Sequence, residues 1–208
     1  MPELPEVETI VRDIRPALAG RRIVSARLEH DDVLRDVSRR ALLAGLRGRR
    51  VKSVFRRAKH AVIETDTRRL VIQPGMTGSL LVLDRAPTRR ERDYAVLLAR
   101  LDDDRLLLFH DVRRFGTLLW LDPRGWEAYS SAIGPEPLDA GFTPAALFAI
   151  LQRSRAAVKK VLMDQGALAG VGNIYAQEAL FAAGIDPSKP AEQVARPAAR
   201  KLHRQLRR

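Results

Sequence analysis

The sequence predicts an α+β fold: an N-terminal helix, then a two-layered β-sandwich domain, then a helical domain. Three observations carry that prediction. After Pro5 the apolar residues Val7, Ile10, Val11, Ile14 and Leu18 recur at helical spacing. From Arg22 to Leu121 the apolar pattern breaks into short β-like runs. Beyond the breaker-rich segment Gly134-Pro135-Glu136-Pro137, helix starts and stops take over.

The first helix has Gly20 as its stop signal, and Pro16 is expected to kink or end it, because proline lacks the N–H that an interior turn needs. The strand candidates are Ile23 to Leu28, Val51 to Phe55, Ala61 to Thr65, Leu70 to Ile72, Tyr94 to Leu101, Leu106 to Phe109 and Thr117 to Leu121. Seven or more short strands of this kind suit a sandwich, with an irregular helix expected near residues 33 to 46. The segment at 134–137 reads as the linker, which gives domains 1–131 and 132–208. Thr143 and Pro144 then cap and open a helix before Leu147, Ile150 and Leu151. A second helix is expected over Ala156 to Met163 and a third from Asn173 to Ala182, stopped by Gly184. The tail after Pro197 reads either as a final helix or as a frayed end.

Composition narrows the function. With 208 residues and 46% hydrophobic side chains, the chain can bury a substantial core. Lysine and arginine number 37 against 25 acidic residues, so the net charge of +12 favours a polyanionic partner, nucleic acid or an acidic membrane. Residues 151–208 hold 11 basic and 4 acidic side chains, which makes the last quarter the expected electrostatic anchor. Cysteine is absent, and this excludes disulfides, thiolate catalysis and cysteine-ligated zinc within the chain. His30, His60, His110 and His203 are too scattered for a local metal motif, and no metal or other cofactor is expected. No start resembling a secretory signal and no long apolar run is present, so a cytoplasmic, soluble polyanion binder is expected.

The N-terminus Met1-Pro2-Glu3-Leu4-Pro5-Glu6-Val7-Glu8 places a proline where removal of the initiator methionine would expose it. A free α-amine, with a pKa of about 8, is substantially deprotonated near neutral pH and can attack a sugar C1′. A secondary amine so joined is a cationic iminium, an electron sink that acidifies C2′ and promotes loss of the 3′ phosphate. Glu3 lies beside it and could shuttle protons. Taken as a bare pattern, the same residues also suit an ordinary, charge-balanced helix start.

The whole octapeptide resembles the N-terminus of the formamidopyrimidine-DNA glycosylase (Fpg/Nei) family. The resemblance implies that Pro2 forms the Schiff base, that Glu3 serves in acid/base catalysis and that Glu6 supports the site. Further matches follow in family order. Arg56-Arg57-Ala58-Lys59 resembles the hairpin that bears a catalytic lysine, with Ala58 where glycine is usual, and this implies a phosphate-binding and proton-donating Lys59. Gly75-Met76-Thr77-Gly78-Ser79-Leu80 is similar to the loop whose methionine fills the space left by a flipped nucleotide; Gln73-Pro74 replaces the usual histidine-leucine before it. Asp111-Val112-Arg113-Arg114-Phe115-Gly116 resembles the loop supplying the other intercalating groups, with Val112 in place of proline. By position Phe115 would wedge between bases, Arg113 would bond the orphaned partner base and Arg114 would hold a phosphate.

Gly170-Val171-Gly172-Asn173-Ile174-Tyr175 leads into a helix, and glycines before a helix start let backbone N–H groups approach a phosphate. It resembles the family's helix–two-turn–helix, which implies phosphate contacts by Gly172, Asn173, Lys159 and Arg155. Family members usually continue into a four-cysteine zinc ribbon, which is not expected in this chain. The implied activity is base-excision repair by a bifunctional DNA glycosylase and abasic-site lyase acting on oxidised purines, namely 8-oxoguanine and formamidopyrimidines. Leu4 and Asn173-Ile174-Tyr175 resemble the formamidopyrimidine branch. The implied partner is damaged double-stranded DNA, met by a monomer in the bacterial cytoplasm and nucleoid. Two rival readings stand beside it: a non-excising DNA-binding or lyase-only form, and a general helical RNA or DNA binder that leaves the octapeptide unexplained.

Overall fold

A computed structural model describes residues 2–208 and divides the chain into two compact units, Met1–Ala128 and Tyr129–Arg208. The first opens with α1 (Leu4–Leu18), whose buried face is the predicted one: Leu4, Val7, Val11, Ile14 and Leu18. Burying each large side chain contributes about 1.5–3 kcal/mol relative to leaving it in water. Helix α1 passes through Pro16 and ends two residues later, with the Ala19 N–H donating to the Arg15 carbonyl at 3.0 Å. A proline so near the C-terminus disturbs only the last turn, which is why it does not end the helix where it stands.

Eight strands form two four-stranded antiparallel sheets, ordered β1-β6-β7-β5 and β2-β3-β4-β8. They are β1 (Ile23–Leu28), β2 (Val51–Arg57), β3 (His60–Thr65), β4 (Arg69–Gln73), β5 (Gly78–Leu83), β6 (Ala95–Leu101), β7 (Leu106–Asp111) and β8 (Thr117–Leu121). One apolar cluster, including Val54, Ile63, Leu70, Ile72, Leu97, Leu101 and Phe109, fills the space and takes in the buried face of α1. Strand β5 is absent from the predicted set, because it begins at a glycine and lies within the stretch read as a DNA-facing loop. It sits at a sheet edge and pairs only with β7.

Helix α2 (Arg39–Leu46) is shorter than predicted. It starts after Ser38, whose hydroxyl accepts the Ala41 N–H, while Val33 and Arg35 exchange backbone hydrogen bonds with Leu118 of β8. That strand-like anchoring withholds residues 33–38 from the helix. Two further helices, α3 (Arg89–Asp93) and α4 (Pro123–Ser131), bury no residue fully, so neither carries an apolar period to read.

The second unit holds α5 (Pro144–Gln152), α6 (Val158–Met163), α7 (Asn173–Ala183) and α8 (Arg196–Leu206), with a short 3-10 turn at Ala191–Gln193. Thr143 caps α5 as predicted, accepting the Ala146 N–H at 3.1 Å. Gly184 ends α7 in the left-handed conformation, and the tail after Pro197 is helical. The segment read as a linker is packed within this unit. The Gly134 N–H donates to the Gln165 carbonyl at 2.8 Å, the Pro135 carbonyl accepts from the Ala169 N–H at 2.9 Å, and Glu136 is buried. Its prolines and glycine shape a fixed turn. Among the described residues no helix is long and apolar enough to cross a membrane.

Candidate active site and nucleic-acid interface

Helix α1 sets the N-terminus. Pro2 is half-buried and precedes Glu3, which is only 2% exposed. The Glu6 carboxylate reaches back to accept the Glu3 N–H at 2.9 Å, fixing the backbone that leads into Pro2, and its charge complements the positive end of the helix dipole. Lys59 is 5% exposed in a two-residue turn between β2 and β3. Burial pushes its pKa below the ordinary lysine value, against the opposing pull of the Glu3 charge. Glu3 and Lys59, far apart in sequence, are thus both buried and close enough for the charge of one to act on the other. A buried carboxylate and a buried amine within each other's field are groups suited to moving protons. Ala58, at the family's usual glycine position, is held at φ +51°, a left-handed conformation that explains why glycine serves there.

Met76, Arg113 and Phe115 converge although they lie on two separate loops. The Arg113 guanidinium approaches the Met76 sulfur at 2.8 Å and lies 4.9 Å from the centre of the Phe115 ring. Met76 is 44% and Phe115 58% exposed, so two large apolar groups stand in solvent with a cation between them. Such a cluster is suited to unstacked bases, which offer apolar faces together with hydrogen-bonding edges. Arg114, at φ +52°, is already engaged: its Nε donates to Asp32 at 3.1 Å.

The residue that organises both loops escaped the sequence reading. Asp111, fully buried, accepts the Thr77 hydroxyl proton at 2.5 Å and the Arg113 N–H at 3.3 Å on one oxygen, and the Gly116 N–H at 2.8 Å on the other. The loops also nest closely: a Cβ on Gly75, whose φ is +68°, would lie 2.5 Å from the Gly116 nitrogen. The aspartate that opens the Arg113-Arg114-Phe115 motif was the available signal. Gln73, which takes the usual histidine's place, turns its carbonyl oxygen to the Thr117 hydroxyl at 3.4 Å.

In the helical unit Asn173 is exposed at the first position of α7, directly after the buried Gly172. Lys159 of α6 donates to the Gln177 carbonyl oxygen on α7 at 3.1 Å, which places it on the same two-helix element as Asn173. Arg155 precedes α6 and lies 3.6 Å from Glu192, highly exposed. Gln165 is the second residue missed. Its amide donates to the carbonyls of Met163 and Val171, and its carbonyl accepts the Gly170 N–H, each at 2.9 Å. The loop entering α7 is thereby clamped from inside.

A two-sheet sandwich headed by a proline-tipped helix, with a separate unit whose glycine loop opens a helix, defines an α+β protein of the helix–two-turn–helix class. Residues 1–118 match the family model for the formamidopyrimidine-DNA glycosylase N-terminal domain, and residues 133–208 match that for its helix–two-turn–helix domain. The formamidopyrimidine-DNA glycosylase of Stutzerimonas stutzeri is 41% identical over 208 residues, all of this chain and 76% of the relative. That of Geobacter metallireducens is 43% identical over all of this chain and 77% of the relative. The Lactococcus lactis enzyme bound non-covalently to DNA containing an abasic site superposes with a TM-score of 0.88 at 29% identity, over 98% of this chain and 78% of that one. A variant of it with DNA containing a formamidopyrimidine lesion gives 0.89 at 30% identity, over 99% and 75%. The chain belongs to the formamidopyrimidine-DNA glycosylase family. The family's zinc ribbon finds no donor set in these residues: cysteine is absent from the chain, and among the described residues no group of three or more histidine or acidic side chains could hold a metal ion.

Proposed function

We propose that this protein is a base-excision DNA repair enzyme, a glycosylase and abasic-site lyase that removes 8-oxoguanine and formamidopyrimidines from double-stranded DNA. Pro2 is its nucleophile. The observation that supports this reading is that Glu3, buried and adjacent in sequence to the one residue whose backbone nitrogen becomes a secondary amine once Met1 is removed, acts electrostatically on the buried Lys59.

The steps follow from these groups. The Pro2 nitrogen attacks C1′ as the bond from C1′ to the base breaks; the nitrogen gives up its proton and the departing base takes one, both transfers relayed through Glu3 and Lys59. The sugar ring then opens: the ring C1′–O bond breaks, its oxygen gains a proton, and the nitrogen lone pair completes the iminium. That cation acidifies C2′, a carboxylate or water at the site takes the C2′ proton, the freed electron pair forms the C2′–C3′ double bond, and the C3′–O bond breaks so that the 3′ phosphate leaves with its electron pair. Water hydrolyses the iminium, which releases the unsaturated aldehyde and restores the amine. Met76, Phe115 and Arg113 fill the space left by the extruded nucleotide and offset part of the few kcal/mol that extrusion costs. Arg114, Lys159, Arg155, Gly172 and Asn173 hold backbone phosphates, contacts that position the duplex without reading its sequence. The enzyme acts as a monomer on the bacterial nucleoid, in the cytoplasm.

Sodium borohydride tests the reading, because it reduces the iminium to a permanent amine. Incubated with duplexes bearing 8-oxoguanine or an abasic site, the protein is expected to become covalently joined to both, and Pro2→Gly is expected to lose the adduct with the oxidised base. Trapping on the abasic duplex alone would make it a lyase that does not excise. No trapping on either would leave a DNA-binding module.

A further inference from the structure

One network behind the site links its two halves. Glu8 lies on α1, the helix that directly follows Pro2 and Glu3, and its carboxylate accepts hydrogen bonds from Arg12 at 2.9 Å and from Arg56 of β2 at 3.1 Å. Arg56 is nearly buried, its side chain 10% exposed, and its other arm donates to the Ala58 carbonyl at 3.0 Å. Ala58 is fully buried at positive φ and immediately precedes Lys59. The guanidinium therefore spans from the helix of the nucleophile to the strained peptide of the turn carrying the lysine. Burial pushes the Glu8 carboxyl up, but hydrogen bonds from Arg12 and Arg56 outweigh it and hold the group below its ordinary value, so the pair is ionised in working conditions.

We infer that the Glu8–Arg56 pair is a positioning device that ties α1 to the Ala58–Lys59 turn and so holds the Pro2 amine and the Lys59 amine in one fixed relation. The inference deepens the proposed function and rests on it. Arg56 is fitted to the task because its planar fork addresses a carboxylate and a carbonyl from two nitrogens held in fixed relation, where a lysine has a single nitrogen on a flexible stem. An alanine in a left-handed turn needs such support more than a glycine would, since glycine adopts that conformation without penalty. The chemistry needs the support because displacing a reacting group by about 1 Å can cost on the order of 100-fold in rate.

The test is single-turnover borohydride trapping on an abasic-site duplex across pH, with affinity for a duplex containing a tetrahydrofuran abasic analogue measured beside it. Arg56→Met is expected to slow trapping by about 10- to 100-fold, while affinity for the analogue changes by less than about 2-fold. Its alkaline limb is expected to move to higher pH, as a loosened turn lets water reach Lys59. Glu8→Gln is expected to act in the same direction more weakly, and Arg56→Lys to recover only part of the loss. Adding Ala58→Gly to Arg56→Met is expected to restore trapping in part, because glycine holds the turn unaided. Unchanged trapping and an unmoved alkaline limb in Arg56→Met, with only the melting temperature lowered, would overturn the inference and leave a structural ion pair. Wild-type protein that is never trapped, or trapping that survives Pro2→Gly undiminished, would instead defeat the reading of Pro2 and the inference with it.

Discussion

Asp32 and Arg114 show how single residues set the terms of DNA binding. The guanidinium proposed to hold a phosphate is paired with a carboxylate in the free protein, both side chains about half exposed. An arriving phosphate has to displace that carboxylate. Exposed pairs are worth about 0.2–1 kcal/mol, so Asp32→Asn is expected to tighten DNA binding by roughly 1.5- to 5-fold, read from binding isotherms at fixed salt. Weaker or unchanged binding would show that Arg114 holds no phosphate. Lys59 carries a prediction about pH. Its folded pKa lies below the ordinary value of 10.5, so between those two values the unfolded chain binds more protons than the folded one. Stability contributed by this residue is complete above the unfolded pKa and is lost as pH falls through the folded one. Lys59→Met keeps the aliphatic stem and removes the charge, and is expected to raise the melting temperature at neutral pH while slowing base excision. A lower melting temperature would mean that the ammonium is satisfied rather than strained.

Among the elements, the loops that carry function depend on buried side chains some distance from the chemistry. Gln165 satisfies two carbonyls and one N–H of the loop that opens α7. Gln165→Ala is expected to cost about 1–3 kcal/mol of stability, seen in denaturant titration, and to weaken DNA binding because the start of α7 loosens. Full stability would place the loop's hold elsewhere. How much was legible in the sequence follows the same division. Helix α1, strands β1 and β8 and the stop at Gly184 could be read because each is written in local periodicity or a single breaker. Motifs singled out Pro2, Glu3, Lys59, Met76, Arg113 and Phe115 as candidates, and Met76, Arg113 and Phe115 stand together in the structure. Asp111, by contrast, accepts a hydrogen bond from Thr77, 34 residues away, and Arg56 reaches Glu8 across 48 residues. Such pairings leave no periodic trace, so they appear only once the sheets bring the loops together. The breakers at 134–137 were misread for a related reason. Glycine and proline mark a change of direction, and whether the turn is free or packed depends on partners such as Gln165 and Ala169 that lie far along the chain.

On the scale of the whole molecule, the proposed roles are spread unevenly over the two units. In the proposed function most of the phosphate contacts, Lys159, Arg155, Gly172 and Asn173, fall in the helical unit, while the sandwich unit carries the amine, the wedge and the Arg114 contact. Binding should therefore weaken steeply with salt, and Lys159→Ala is expected to lower the log–log salt slope by about 1 while leaving the rate of the trapped step at saturating DNA unchanged. An unchanged slope would remove Lys159 from the phosphate set. The proposed mechanism depends on which nitrogen becomes bonded to the sugar. The most direct measurement is peptide mapping by mass spectrometry of the borohydride-reduced complex formed on an abasic duplex. The expected result is a sugar remnant on the N-terminal peptide, which begins at Pro2 with Met1 removed. A remnant found on the peptide containing Lys59, or on protein that still carries Met1, would contradict it.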